Sequence, residues 1–126
     1  MKAYLPLFGR MGISLVFILF GLEKSMDFEH SRHFLAVVGY PDAPVLVIIS
    51  IIIEFVGGIL VLIGYHVKIT AMIMAAYVLL TTAIFYPIWS DLSHYQDFIK
   101  NLAIIGGLLI LSYHGAGPKS LDSNEL

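Results

Sequence analysis

One acidic side chain, Glu54, lies near the middle of a long apolar stretch, residues 43–63, and is the first candidate for chemistry. A charge at the centre of a bilayer costs roughly 2.5–3.5 kcal/mol on insertion scales, so it normally faces protein and has a partner. Basic side chains occur in two other apolar stretches, Arg10 in the first and Lys100 in the last. Because both are long enough to reach the depth of Glu54, the sequence predicts a buried Arg10–Glu54–Lys100 cluster.

Polar side chains in the same stretches would complete the hydrogen bonding of this cluster. They are Ser14, Lys24, Ser50, Tyr77, Thr81 and Asn101. Two interpretations of the cluster stay open. The first is a structural clamp that fixes the register of the helices. The second is a functional site, which would be a polar pocket for a small polar or quinone-like ligand or one step of a proton path.

The composition indicates an integral membrane protein. The 126-residue chain is 59% hydrophobic and only 13% charged, with a mean hydropathy of +0.89, which is more apolar surface than a soluble domain of this length can cover. The net charge of −2 and the lack of a basic tract argue against a nucleic-acid partner. The absence of cysteine excludes disulfides, thiolate metal sites and a dithiol redox centre in this chain.

The histidines do not form a metal or haem motif. His30 and His33 are three residues apart, but no third ligand follows them at a suitable spacing. No histidine lies inside a predicted span, so none is placed to be an axial haem ligand. No phosphate-binding loop, catalytic triad or carboxylate pair occurs either. We therefore expect no metal site, and no catalytic activity of this chain on its own.

The pattern of hydropathy predicts an all-α fold, a bundle of four transmembrane helices in a single domain over residues 1–126. The predicted spans are 4–22, 43–63, 67–86 and 97–113. A short interfacial helix over residues 27–38 is predicted in the first loop, and residues 115–126 are expected to form a polar, mobile tail. In the first span one helical face contains residues spaced by four and three, which we expect to face inward. That face consists of Arg10, Ser14, Phe17, Gly21 and Lys24.

Four spans would place both termini on the same side of the membrane. The basic residues of that side are Lys2, Arg10, Lys68 and Lys119, against Lys24, Arg32 and Lys100 on the other. The positive-inside rule therefore predicts cytoplasmic termini.

Several short motifs occur in a fixed order along the chain. They are Gly9-Arg10, GLEK at 21–24, Glu54 followed by Gly57-Gly58, FYPIW at 85–89, FIKN at 98–101 and Gly106-Gly107. In this order the chain resembles the DoxX family of small four-helix bacterial membrane proteins over about residues 7–120. Many members have histidine at the position of Tyr86.

The resemblance implies a multi-pass protein of the bacterial inner membrane. One branch of the family is similar to the membrane subunit of a thiosulfate:quinone oxidoreductase, and another looks like a membrane partner of enzymes that handle oxidative and thiol stress. The leading hypothesis is an accessory or quinone-pocket subunit of such a redox system, with quinone as ligand and a redox enzyme or a second copy as partner. The alternatives are a non-enzymatic membrane scaffold that recruits a partner and, third, a small transporter.

Overall fold

The fold is all-helical over the part of the chain that the computed structural model describes, residues 2–39, 43–85, 93 and 95–122. A short 3₁₀ turn, Lys2–Tyr4, precedes five α-helices. These are α1 (Leu5–Met26), α2 (Phe28–Val38), α3 (Ala43–Ile63), α4 (Val67–Phe85) and α5 (Tyr95–His114). Two stretches, Leu5–Met26 and Pro44–Ile63, are long and apolar enough to cross a membrane, and α4 provides a shorter apolar helix.

The predicted helices agree with these bounds except at the end of the first one. The prediction ended α1 at residue 22, where the apolar stretch ends, but the helix continues to Met26. Its last turn contains no glycine or proline, so nothing local stops the helix when the side chains become polar. The longer helix includes Lys24, which the predicted inward face already contained. The rest of the FYPIW motif after Phe85 lies outside the described residues.

The first loop contains the predicted short helix, α2. Its C-terminal end is set by Gly39, which adopts φ +108° and donates its N–H to the Ala36 carbonyl oxygen. On its exposed side Arg32 donates two hydrogen bonds to Glu29 Oε2, at 2.7 and 3.0 Å. These bonds and the positive charge lower the pKa of the Glu29 carboxyl. The pair supports α2 only while Glu29 is ionised, and this support is lost as the pH falls through that lowered pKa.

Helices α1 and α3 pack antiparallel at close range through glycines. A methyl group at Gly58 would lie 2.8 Å from Ile18 Cγ1 and 3.3 Å from the Ser14 carbonyl oxygen. One at Gly21 would lie 3.2 Å from the Phe55 backbone nitrogen. Small residues allow two membrane helices to approach in this way. The predicted inward face of α1 is confirmed for four of its five residues, because Arg10, Ser14, Phe17 and Gly21 are buried, whereas Lys24 is partly exposed.

Helices α4 and α5 form a second packed pair that closes the core. Met74 and Leu108 are fully buried, and they pack with Phe17 from α1 and Val61 from α3. The outward residues of all these helices are large and apolar and remain exposed, for example Leu15, Ile52 and Leu80. An apolar exterior around a small core is the arrangement expected of a protein surrounded by lipid.

The segment after α5 is not the mobile tail that the sequence predicts, at least as far as Asp122. It folds back over the turn between α3 and α4, where the Leu121 and Asp122 N–H groups donate to the carbonyl oxygens of Ile63 and Gly64. The carboxylate of Asp122 accepts the N–H groups of His66 and Val67, at 2.8 and 2.9 Å. It thereby caps the first turn of α4. The prediction failed because a polar composition does not reveal backbone pairing.

The close contact of α1 with α3 predicts opposite effects of two glycine substitutions. We expect Gly58→Ala to lower the free energy of unfolding by about 1–3 kcal/mol, because the added methyl group overpacks the contact. Gly106→Ala is the matched control, since no heavy atom lies within 4 Å of the position its methyl group would occupy. It should leave stability unchanged or raise it by up to about 1 kcal/mol. Unfolding in mixed micelles measures the stability of both variants, and an equal loss of stability in the two would contradict the packing described.

Candidate functional site

The buried carboxylate of Glu54 is the centre of a polar cluster between α1, α3 and α4. Glu54 is only 2% exposed, and its Oε1 atom accepts hydrogen bonds from three side chains. Ser50 Oγ and the Tyr77 hydroxyl donate at 2.9 Å, and the Lys24 ammonium forms an ion pair with the same oxygen. We call Lys24, Ser50, Glu54 and Tyr77 the acid cluster.

Helix geometry explains why these side chains meet. Ser50 and Glu54 are four residues apart and share one face of α3. Tyr77 faces them from the middle of α4, and its hydroxyl is close enough to that of Ser50 for the two to hydrogen-bond in place of one of the bonds to Glu54, since each hydroxyl has a single proton. Lys24 reaches down from the last turn of α1 and donates to Ser50 Oγ at 2.9 Å as well. Its ammonium is 3.4 Å from the Tyr77 hydroxyl, so one cation touches every other member.

The exposed part of the acid cluster is the Lys24 side chain. The Lys24 side chain is 33% exposed, whereas that of Glu54 is 3% exposed. Lys24 precedes α2, so the exposed part of the cluster lies at the α2 end of the helices.

The predicted cluster is wrong about both basic partners of Glu54, because neither Arg10 nor Lys100 pairs with it. Arg10 is buried, but its guanidinium donates to three carbonyl oxygens, those of Val61 at 3.1 Å, Leu62 at 2.7 Å and Lys119 at 2.9 Å. It therefore binds the C-terminal end of α3 and the segment after α5, and its Nε has no partner among the described residues. Lys100 is exposed on the first turns of α5 and forms no ion pair within the described chain.

The remaining predicted residues make other contacts. Asn101 donates to Thr82 Oγ1 at 3.0 Å and so joins α5 to α4. Thr81 and Ser14 donate to carbonyl oxygens of their own helices. Thr82 is 2% exposed and was not predicted as a polar contact. Its place one turn after the buried Val78 is the signal that would have found it.

The chemistry available to the acid cluster is hydrogen bonding and proton exchange. It combines an acid, a phenol, an alcohol and an ammonium group around one oxygen atom. Within the described residues no group of three His, Asp or Glu side chains could hold a metal ion. The ion pair is charge-balanced, so the cluster can accept a neutral molecule with hydrogen-bonding oxygens without adding net charge to the bundle.

Removal of one partner of the ion pair should destabilise the protein more than removal of both. Lys24→Met leaves Glu54 buried with an uncompensated charge. Breaking a fully buried ion pair in this way lowers the free energy of unfolding by about 3–5 kcal/mol. Here we expect a decrease of about 1–3 kcal/mol, because Lys24 is partly exposed. The double variant Lys24→Met/Glu54→Leu should recover most of this loss. The free energies of unfolding of these variants in micelles measure the coupling between the two side chains. Lys100→Met is the control for loss of an exposed lysine. Strictly additive losses of stability in the double variant would refute a coupled pair.

Comparisons with known proteins found a matching family model and several similar proteins. The family model described as DoxX matches residues 5–87. Inner membrane protein YphA of Escherichia coli is 31% identical, over 96% of this chain and 90% of its own length. Inner membrane protein YqjF of the same organism is 30% identical, over 92% of this chain and 88% of its own. The ER-derived vesicles protein ERV29 of Saccharomyces cerevisiae is 27% identical over 98% of this chain, which corresponds to 34% of that longer protein.

No solved structure matches the chain. The family match covers α1 to α4 and thus every residue of the acid cluster. From this match and from relatives that align along nearly the whole sequence, the chain belongs to the DoxX family of membrane proteins.

Proposed function

We propose that this chain is an accessory subunit of an inner-membrane redox system and that its acid cluster binds the polar head of a quinone. The observation that carries the proposal is the hydrogen bonding around Glu54, where an ammonium and a phenol meet a carboxylate that is 2% exposed. Pockets for such ligands are mostly apolar and contain a few placed polar groups. The acid cluster supplies the polar groups, and the half-buried Ile51 and Phe55, which directly follow Ser50 and Glu54 in the sequence, supply apolar surface.

The chemical fit follows from the donors present. Quinone carbonyl oxygens accept hydrogen bonds, and Lys24 Nζ and the Tyr77 hydroxyl are donors from two different helices, α1 and α4. A bound quinone supplies two-electron chemistry with uptake of protons. The side chains of this chain can bind and orient the head and exchange a proton at Glu54 Oε1. The chain contains no cysteine, so electrons would come from a partner enzyme.

Direct binding tests the proposal. Purified protein in detergent should bind short-chain ubiquinone or menaquinone saturably, as measured by equilibrium dialysis. Lys24→Met and Tyr77→Phe should each weaken binding by about tenfold, because each removes one hydrogen bond to the ligand or to the acid that orients it. Lys100→Met should bind like the wild type, since that lysine is exposed on α5.

Two results would count against quinone binding. One is no saturable binding by the wild type. The other is an equal loss in the Lys100→Met control, which would indicate unspecific partition into the micelle.

A scaffold function is the second candidate, and one specific observation favours it. The members of the acid cluster already satisfy one another, as a clamp of helix register would require. In that case the protein would purify with a partner protein and without a bound organic molecule in its native mass spectrum. Lys24→Met/Glu54→Leu would then keep the partner, whereas a quinone-binding subunit would lose its ligand.

We also propose four membrane spans, α1, α3, α4 and α5, with both termini in the cytoplasm. The length of α5, 20 residues, supports a fourth span, although its polar first turns make it less apolar than α1 and α3. Because the chain has no cysteine, single cysteines report topology without background labelling. Lys2→Cys and Leu121→Cys should react with an impermeant maleimide in inverted vesicles, and His30→Cys in whole cells with a permeabilised outer membrane. Labelling of the two termini from opposite sides would contradict the span count.

A further inference from the structure

A second candidate site lies at the opposite end of the bundle from the exposed side of the acid cluster. Here the first turn of α4, the end of α5 and the segment after it surround a cavity of about 570 Å³. Its lining includes Lys68, His66 and His114, together with the apolar Ile69 and Pro118. None of these residues belongs to the acid cluster.

The charges around this cavity favour an anion. Asp122 is the acidic residue in its lining, and both of its carboxylate oxygens accept backbone N–H groups of His66 and Val67. Among the described residues no carboxylate pairs with the Lys68 ammonium. The same end of the bundle also contains the basic side chains of Lys2 and Lys119. A ligand with a negative charge would therefore find the Lys68 ammonium without a carboxylate partner in the described chain, while the carboxylate of Asp122 is engaged by backbone N–H groups.

An apolar groove begins one helical turn from the cavity. Ile69 lines the cavity, and Ile73, four residues further along the same face of α4, lines a groove of about 170 Å³ between α3 and α4. The groove is walled mainly by aliphatic residues, such as Val56, Leu60 and Met74. Ile69 and Ile73 are 65% and 55% exposed, so this path lies on the outside of the bundle, where lipid would be.

From a cavity at the helix ends that contains the Lys68 ammonium and two imidazoles, and from the adjoining apolar groove along α4, we infer that this face binds one anionic phospholipid. The phosphate group meets Lys68, His66 and His114, and an acyl chain lies along Ile69 and Ile73. Basic pockets at the ends of membrane helices suit anionic head groups for this reason. The site is independent of the quinone proposal, because it uses other residues at the other end of the helices.

Native mass spectrometry of the full chain released from nanodiscs tests the site. With equal amounts of phosphatidylglycerol and phosphatidylcholine, the wild type should retain one phosphatidylglycerol in preference. Lys68→Gln should reduce this retention about fivefold, the effect of one basic residue near an anionic lipid. His114→Gln provides an independent second variant, and thermal unfolding by circular dichroism verifies that both variants are folded. Lys100→Gln, a lysine exposed on the first turns of α5, is the matched control and should retain lipid like the wild type.

The other outcomes would overturn the inference. Equal retention of the two lipids by the wild type would show that charge is not recognised. An equal loss in Lys68→Gln and Lys100→Gln would show diffuse attraction rather than a site. Release of the lipid by millimolar inorganic phosphate would mean that the cavity binds a free anion and that the groove contributes nothing.

Discussion

The ion pair between Lys24 and Glu54 is the interaction on which the rest of the bundle depends. A carboxylate that is 2% exposed among aliphatic side chains needs a cation and hydrogen-bond donors, and it finds them on three different helices. The pair therefore specifies which helices are neighbours and at what depth they meet. A purely apolar contact in lipid would constrain the depth far less, because the free energy changes little when two apolar helices slide past each other.

The approach of α1 and α3 is what brings the two charges together. Gly21 faces Phe55 and Gly58 faces Ile18, so the axes come close without displacing side chains. Lys24 is one turn beyond Gly21, and Glu54 is one turn before Gly58 along the antiparallel helix. The GLEK motif and the acid with its two glycines thus form one structural unit, although 30 positions separate Lys24 from Glu54.

The sequence predicted the elements and the inward face of α1 well, because helix length and the spacing of polar residues are local properties. It also identified Glu54 as a buried acid with a basic partner. It predicted the wrong bases because the depth of each side chain was judged relative to the centre of its own apolar stretch. In the structure α1 is displaced along α3, so that Arg10 lies beside Gly64 and Lys24 comes within reach of Glu54. Such an offset follows from packing of glycines and side chains on two helices, which no single stretch of sequence reveals.

The two cations of α1 show how one helix face can serve two ends of a bundle. Lys24 and Arg10 are about 21 Å apart at 1.5 Å per residue, and each is stabilised by a different chemistry. Lys24 meets a carboxylate, which leaves a pair with no net charge. Arg10 meets the carbonyl oxygens of Val61 and Leu62 in the last turn of α3, where the helix dipole and unpaired carbonyls favour a cation. Because its positive charge is not cancelled by an ion pair with a carboxylate among the described residues, Arg10 adds to the basic character of the end where the lipid site is proposed. The same helix face thus separates a charge-balanced site at one end from a cationic surface at the other.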